Sequence, residues 1–176
     1  MILERLFRPR PARAAGAKLY TAVVDQARAP DFYGRLGVPD TVEGRFELYS
    51  LHVMLLLDRL KRQGPLAAEV SQALFDTYVA ALDDALREMG VGDLSVGKKM
   101  RKLGEAFYGR IKSYEAALAE LPETAALAAV IGRTVYAEAV APALADLVAY
   151  VARQREDLAN QPLEALVAGD VKWVAA

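Results

Sequence analysis

The chain has no cysteine and a single histidine, His52, among its 176 residues. Without cysteine it forms no disulfide, thiolate metal site, iron–sulfur cluster or covalent haem attachment. One histidine cannot build the two-histidine zinc motif of a hydrolase or the histidine pair of a di-iron bundle. We therefore expect no cofactor and no metal site, and His52 is the only candidate for acid–base catalysis by a histidine.

Long apolar runs are missing as well. Residues 48–57 form the longest uncharged apolar segment, about half of the roughly 20 residues that a membrane-spanning helix needs. The N-terminus has neither the apolar core nor the small-residue cleavage site of a secretory signal. These absences predict a cytoplasmic protein, and a peripheral position on the cytoplasmic face of the inner membrane remains open.

Residues 1–15 are predicted to be a mobile N-terminal arm, because prolines at positions 9 and 11 interrupt a helix. Apolar and basic side chains alternate along this arm, a pattern typical of shallow contact with an anionic membrane surface. The contact residues would be Ile2, Leu3, Arg5, Leu6, Phe7 and Arg8. A plain unstructured terminus is the alternative.

The composition of the rest favours helix. Apolar residues make up 54% of the chain, and the prominent ones, Ala and Leu, lose little side-chain freedom in a helix. Apolar positions recur at helical spacing, and no alternating strand pattern is present. We predict one all-α domain over residues 16–176, a bundle of about seven helices at 17–28, 41–63, 65–89, 96–120, 124–137, 142–158 and 162–168.

Local signals mark several ends of these helices. Pro30 should end the first helix, and apolar side chains should pin the following loop, up to residue 38, onto the core. Asp40 and Thr41 are candidate N-caps of the second helix, and Ser95 is a candidate for the fourth. The third helix should bury a ridge that repeats every four residues and should end at a left-handed Gly90. Trp173 could hold the C-terminal tail on the core. The ridge residues are Val70, Leu74, Tyr78, Leu82 and Leu86.

A basic cluster, defined as Lys98, Lys99, Arg101 and Lys102, opens the longest predicted helix. Cations in a first helical turn oppose the helix dipole, at about 0.3–1 kcal/mol each. Two explanations remain open. The acidic residues upstream, at positions 83, 84, 88 and 93, fold back against the cluster, or an anionic partner binds it: ribosomal RNA, membrane phospholipid or an acidic protein.

Other candidate partner-binding residues lie in short polar–aromatic phrases. Tyr108 and Arg110 should line a surface groove, since Phe107 takes the inner side of their helix. Arg45 and Glu47 flank an apolar Phe46 and are candidates either for ion pairs between helices or for ligand contact. His52 sits in an apolar helical context, which favours a buried or groove-lining histidine over a catalytic one.

The order of several phrases resembles the ubiquinol–cytochrome c chaperone family. These phrases are QAR-x-P-x-FY from Gln26, GVPDT-x-x-GRFE from Gly37, LREMGVGDL from Leu86 and FYGR from Phe107. The resemblance covers about residues 18–120 and points to a bacterial relative of the mitochondrial members. It implies a non-enzymatic chaperone for assembly of ubiquinol–cytochrome c reductase whose client is newly made cytochrome b. It also implies a ribosome contact and a small helical co-chaperone, and it implies no DNA binding.

On this reading, an apolar groove between the helices predicted at 41–63 and 96–120 receives a hydrophobic client helix. The basic cluster and Arg110 then orient the client at the membrane or ribosome. Two alternatives remain. A helical lipid- or quinone-binding protein would need a closed apolar cavity of some hundreds of Å³, and a small hydrolase or transferase would have to use His52.

Overall fold

The computed structural model describes residues 11–137 and 141–176. Of residues 93 and 94, which lie within the first range, it describes only the backbone. Within these ranges all regular structure is α-helical, which confirms the predicted all-α class. Eight helices are described, one more than expected: α1 Pro11–Ala27, α2 Pro30–Gly34, α3 Val42–Leu60, α4 Pro65–Glu88, α5 Asp93–Ala119, α6 Ala125–Thr134, α7 Leu144–Asn160 and α8 Leu163–Val167.

Helix α1 begins at Pro11, so residues 11–15 are folded and the predicted arm boundary at residue 15 lies inside a helix. Proline is favoured in the first helical turn, where its missing N–H has no partner to lose. Ala12, Ala15 and Leu19 form the buried face of α1. The membrane-contact residues predicted between positions 2 and 8 lie outside the described residues.

Helix α2 is the additional element. Pro30 was expected to end a helix, but here it starts a second short one, because a first-turn proline suits both roles. Phe32 on α2 and Leu36 just beyond it are fully buried. The Tyr33 hydroxyl donates a hydrogen bond to the carbonyl oxygen of Ala27 at 2.8 Å. The segment from Pro30 to Val38 was expected to be a loop held on the core by apolar side chains. It is held there, and it contains one helical turn.

Helix α3 is the central element of the bundle. Thr41 is its N-cap, as the sequence predicts, and the Thr41 hydroxyl accepts a hydrogen bond from the Gly44 N–H at 3.1 Å. Its residues 50–56 are all buried, so it presents apolar surface on every side along this stretch. Helices α1, α4, α5 and α7 all pack against it, which explains why its sequence lacks a polar face there.

Helix α5 begins at Asp93 with Gly92 as its N-cap, so the predicted start at residue 96 and the predicted cap at Ser95 are wrong. The Gly90 φ of 80° confirms the expected left-handed end of α4. Because α5 starts earlier, its basic cluster lies in the second and third turns. The dipole cost expected for first-turn cations therefore does not apply in full.

No helix among the described residues combines the length and the hydropathy needed to cross a bilayer.

Close packing of α1 on α4 generates a first prediction. A Cβ atom added at Gly16 would lie 2.6 Å from the backbone carbon of Ala73 and the backbone nitrogen of Leu74. We expect Gly16→Ala to lower the free energy of unfolding by about 1–3 kcal/mol, because both contacts are backbone atoms that cannot rotate away. Urea denaturation followed by circular dichroism measures the change.

Gly34→Ala is the matched control, since a Cβ there meets nothing within 4 Å. It should leave the free energy of unfolding within about 0.5 kcal/mol of the parent value. Equal effects at positions 16 and 34 would contradict the close approach of α1 and α4.

Candidate functional site

The residues predicted to bind a partner divide among three places in the fold. The basic cluster, Tyr108 and Arg110 lie along α5, and Glu47 on α3 faces Arg110. His52, also on α3, lies inside the core, and Arg45 lies near the start of α3. The structure therefore joins Glu47 to the α5 residues and separates His52 and Arg45 from them.

Glu47 and Arg110 form a buried bidentate ion pair between α3 and α5. The Arg110 Nε donates to Glu47 Oε2 at 2.6 Å, and the Arg110 Nη2 donates to Glu47 Oε1. The Glu47 side chain is 7% exposed and that of Arg110 25%. Burial raises the pKa of the Glu47 carboxyl, and the hydrogen bonds from Arg110 oppose that rise. The GRFE and FYGR phrases thus meet here, and this pair sets the position of α5 on α3.

Arg45 takes a separate and local role. Its Nε donates to the Asp40 carboxylate at 2.7 Å, and both side chains are largely exposed. Its guanidinium also lies 5.3 Å from the centre of the Tyr33 ring. Arg45 therefore braces the loop before α3 and contacts α2 through Tyr33, and it does not reach α5.

His52 is fully buried and hydrogen-bonded on both ring nitrogens. Its Nδ1 lies 2.8 Å from the Leu48 carbonyl oxygen, which can only accept, so Nδ1 carries the proton. The Nε2 then accepts from the Tyr150 hydroxyl at 2.8 Å, and that hydroxyl accepts from Gln26. Burial lowers the His52 pKa to about 4. A neutral, inaccessible imidazole of this kind has no route to a substrate.

The His52 network also holds the C-terminal tail. The Trp173 ring packs edge-on against the His52 ring with centroids 5.1 Å apart. Three glutamine side chains bind the tail backbone: Gln161 at Lys172, and Gln154 and Gln26 at Val174. The tail is thereby clipped onto the core, as the sequence suggested for Trp173. His52 serves this structural purpose.

All four side chains of the basic cluster are exposed, and none is within ion-pair distance of a carboxylate that the structure describes. Asp83, one of the acids expected to fold back, instead pairs with Arg87 on its own helix at 2.7 Å. For Asp83 the fold-back explanation is therefore not observed.

Tyr108 is 58% exposed, whereas its neighbour Phe107 is 1% exposed. The two side chains divide as the sequence predicts. Phe107 packs with Phe75 and Tyr78 of α4 at centroid distances of 5.6 and 5.1 Å. Tyr108 lies on the outer edge of this aromatic group, 6.1 Å from the Phe75 ring. It is therefore anchored on one side and open to solvent on the other.

The space directly between α3 and α5 is nearly closed. A cavity of only about 20 Å³ remains there, lined by residues that include Met54, Ile111 and Tyr114. Such a volume is too small for a client helix, a lipid or a quinone. The groove expected between these two helices is filled by their own side chains.

An open groove lies beside that contact, where the end of α3 and the first half of α4 face α5. We name it the three-helix groove; its volume is about 410 Å³. Its apolar surface comes from Leu57, Leu60, Phe75, Tyr108 and Ile111. An ion pair between Lys61 and Glu115, at 2.7 Å, crosses one end of it.

A second, shallow and open cleft of about 520 Å³, which we name the outer cleft, runs along the exposed side of α5 and is lined by that helix alone. It is lined by Arg101, Gly104, Glu105, Tyr108, Gly109 and Lys112. Tyr108 borders both this cleft and the three-helix groove. The two spaces therefore adjoin at one exposed aromatic side chain.

A larger cleft, of about 840 Å³, lies elsewhere, between the end of α3 and α7. Its charged groups are largely satisfied within the chain. Arg155 pairs with Asp58 at 3.2 Å, and Arg59 donates to the carbonyl oxygens of Leu158 and Gln161 at the end of α7. The polar side chains that line this cleft chiefly satisfy the backbone at the end of α7.

Among the described residues no group of three or more metal-ligating side chains occurs.

Sequence reasoning missed Phe75 and the glycines of α5. Phe75 lies one position beyond the predicted α4 ridge, so periodicity alone placed it outside the core. The glycines at 97, 104 and 109 were visible as an unusual number within one predicted helix. That signal could have indicated an exposed helix face with a special requirement for close approach.

The His52 network predicts a specific pH dependence. The folded-state pKa, about 4, lies below the ordinary value of 6.5, so the folded chain binds fewer protons than the unfolded chain between these values. Stability should therefore fall as the pH drops from about 6.5 to 4, by on the order of 3 kcal/mol from this group. Thermal denaturation across this range measures it.

His52→Gln is the control because it removes the titrating group while leaving every carboxylate in place. The difference in stability between parent and variant should change with pH as stated. A difference that stays constant from pH 7 to pH 4 would show that His52 titrates normally.

The Glu47–Arg110 pair predicts a second pH effect. We expect Arg110→Ala to lower the free energy of unfolding by about 3–5 kcal/mol at neutral pH, because a buried carboxylate loses its partner. The raised folded-state pKa of Glu47 means that the folded variant binds a proton more readily than the unfolded chain. The loss should therefore shrink as the pH falls.

The double variant Glu47→Leu with Arg110→Met is the comparison, since an apolar pair leaves no buried charge. It should be more stable than Arg110→Ala at neutral pH when measured by urea denaturation. Equal destabilisation of both variants would mean that lost packing, rather than the unpaired charge, is responsible.

Comparison with known proteins gives consistent results. The chain is 27% identical over 164 residues to the ubiquinol-cytochrome c reductase complex assembly factor 1 of Mus musculus, covering 92% of this chain and 55% of that protein. The Homo sapiens protein of the same name also shows 27% identity over 164 residues, with 92% of this chain and 54% of that protein covered. The chain thus spans about half the length of these curated relatives.

A solved structure is also similar. The crystal structure of the Cbp3 homolog from Brucella abortus is 38% identical in sequence, with a TM-score of 0.86 and coverage of 99% of this chain and 97% of that one. The profile described as ubiquinol-cytochrome C chaperone matches residues 34–173, most of the chain. The resemblance seen in the sequence phrases is therefore confirmed, and the chain belongs to the ubiquinol–cytochrome c chaperone family.

Proposed function

We propose that this protein is a non-enzymatic assembly chaperone for ubiquinol–cytochrome c reductase that binds newly made cytochrome b. The match of the family profile to residues 34–173 carries this proposal. The names of the similar mouse and human proteins, which denote assembly factors of the same complex, support it. The absence of a reactive role for His52 agrees with binding rather than catalysis.

The three-helix groove is the client-binding site in this proposal. It offers apolar side chains from three helices in an open channel, which suits an apolar helix laid lengthwise. Tyr108 is the exposed aromatic anchor, a residue type common at binding hot spots. Glu47 and Arg110 act indirectly, by holding α5 at the correct distance from α3.

The basic cluster orients the bound client in this proposal. Its four side chains are exposed and lie on α5 between Tyr108 and the start of the helix. They favour an anionic surface at the site of client synthesis, either the ribosome or the cytoplasmic face of the membrane. The N-terminal residues 2–8 add a weak membrane contact, and a small helical co-chaperone remains part of the proposal.

The alternative of a lipid- or quinone-binding protein finds no support in the site. Such a ligand needs a closed apolar cavity. The clefts described above are open, and the enclosed space between α3 and α5 is only about 20 Å³.

Deletion of the gene tests the proposal in cells. We expect cytochrome b and assembled ubiquinol–cytochrome c reductase to decrease, while the other respiratory complexes remain unchanged. Re-expression of the full chain should restore both. Normal reductase levels in the deletion strain would refute the proposed function.

Variants then test the site. Ala68 is exposed and lines the three-helix groove, so Ala68→Glu places a charge there without disturbing the core. We expect the cytochrome b that copurifies with the chaperone to fall about tenfold or more, equivalent to about 1.4 kcal/mol. Ala80→Glu on the exposed side of the same helix is the matched control and should copurify cytochrome b normally.

Reversal of three cations, Lys98, Lys99 and Lys102 to Glu, should abolish client capture without changing helicity or Tm. The matched control reverses Arg13, Lys18 and Lys172, which are exposed and lie on α1 and the C-terminal tail rather than on α5. Equal client capture by both triple variants would remove the basic cluster from the mechanism.

A further inference from the structure

Helix α5 presents a face that is largely exposed from Gly97 to Tyr108 and half-buried at Ile111 and Glu115. Gly97, Arg101, Gly104 and Tyr108 are spaced by four, three and four residues, and Ile111 and Glu115 continue this spacing. Such a repeat keeps side chains on one seam of a helix, as in paired helices of a coiled coil. We call this row of six residues the α5 seam. It runs about 27 Å along the helix axis at 1.5 Å per residue.

The α5 seam joins the two adjoining clefts. Its last three residues, Tyr108, Ile111 and Glu115, line the three-helix groove. Arg101, Gly104 and Tyr108 line the outer cleft. A single straight helix laid along the seam would therefore occupy both clefts in sequence and contact Tyr108 at its middle.

The glycines on this face are not required by packing within the chain. A Cβ atom added at Gly97, Gly104 or Gly109 meets nothing within 4 Å, in contrast to Gly16, where backbone atoms lie at 2.6 Å. Each glycine inside a helix costs about 0.5–1 kcal/mol relative to alanine. Close approach of another backbone is one physical reason for a helix to retain glycine on an exposed seam.

Charge indicates the chemistry of the occupant. The basic cluster surrounds the first half of the seam and has no described carboxylate at ion-pair distance. The second half borders the apolar side chains of the three-helix groove, among them Leu57, Phe75 and Ile111. The complementary ligand is a helix that is apolar at one end and acidic at the other. A second copy of α5 does not fit, because residues 98–115 carry six basic and two acidic side chains and would repel each other.

A flat polyanion explains less of this surface. Phosphates of RNA or lipid would be attracted by the cluster, but they would gain nothing from glycines at seam positions. Glu105 also lines the outer cleft between Arg101 and Lys112, and a carboxylate there disfavours a surface of closely spaced phosphates.

We propose that the α5 seam is the docking track for a single client helix, whose apolar end lies in the three-helix groove and whose acidic, small-residue end packs closely on Gly97 and Gly104. This inference rests on the proposed chaperone function and adds the client's chemistry and direction. The glycines determine how closely the client approaches, and the basic cluster determines which end of the client faces the start of α5.

The test uses a synthetic helical peptide as the probe, with leucines along one face of its first half and alanines with flanking glutamates in its second half. Its binding to the full chain is measured by fluorescence anisotropy. The double variant Gly97→Leu with Gly104→Leu should bind about tenfold more weakly. Its Tm should be equal to or above that of the parent, because leucine favours helix and no intrachain contact is blocked.

Ala116→Leu is the matched control, since it adds the same side chain at an exposed position of α5 off the seam. It should bind the peptide as the parent does. Gly104→Ala adds only a methyl group and should weaken binding less than the double variant. A peptide with lysines in place of the glutamates should bind more weakly to the parent chain.

Three outcomes would overturn the inference: no binding of the acidic peptide to the parent chain, equal binding by parent and double-leucine variant, or equal binding of the acidic and lysine peptides. Binding of phosphatidylglycerol vesicles that is stronger than peptide binding and insensitive to the leucines would assign the face to lipid instead. The proposed function is tested separately, because normal cytochrome b capture by the double-leucine variant with loss in Ala68→Glu would refute only the seam.

Discussion

The buried ion pair between Glu47 and Arg110 is the contact on which the position of α5, and with it the proposed client-binding surface, depends. It ties α5 to the central helix α3, and Arg110 also lies over the Phe46 ring at 5.6 Å. Two phrases far apart in sequence, GRFE and FYGR, supply its two halves. Because a bidentate guanidinium–carboxylate contact has a defined geometry, it sets the distance and rotation of α5. That rotation exposes Tyr108 and turns Phe107 inward.

The two sides of the bundle have different physical tasks. On the α7 side, His52 and Tyr150 are hydrogen-bonded to each other inside the core, and the Trp173 ring packs on His52 and so helps to hold the C-terminal tail. On the α5 side, the cations and Tyr108 face solvent and have few partners in the described chain. The side chains satisfied within the chain thus lie around α3 and α7, and the proposed binding surface lies on α5. The division fits a chaperone that presents one prepared surface on a rigid body.

Part of this organisation is readable from local sequence. The helical class, the Thr41 cap, the left-handed Gly90 and the inward Phe107 all follow from rules acting within a few residues. The errors also concern helix ends: Pro30 starts a helix as readily as it ends one, and Gly92 rather than Ser95 caps α5. A cap is chosen by where the preceding chain delivers the backbone, and that depends on how α4 packs.

The sequence by itself determined an all-helical body without thiol or two-histidine metal chemistry, the family to which it belongs, and the residue types that could meet a client. Only the tertiary structure decided how those residues combine. It placed His52 in the core, paired Glu47 with Arg110, closed the space between α3 and α5, and opened the groove beside α4. The reason is that helical periodicity indicates which face of a helix is buried. Which neighbour covers that face depends on how well the side chains of segments distant in sequence fit against it.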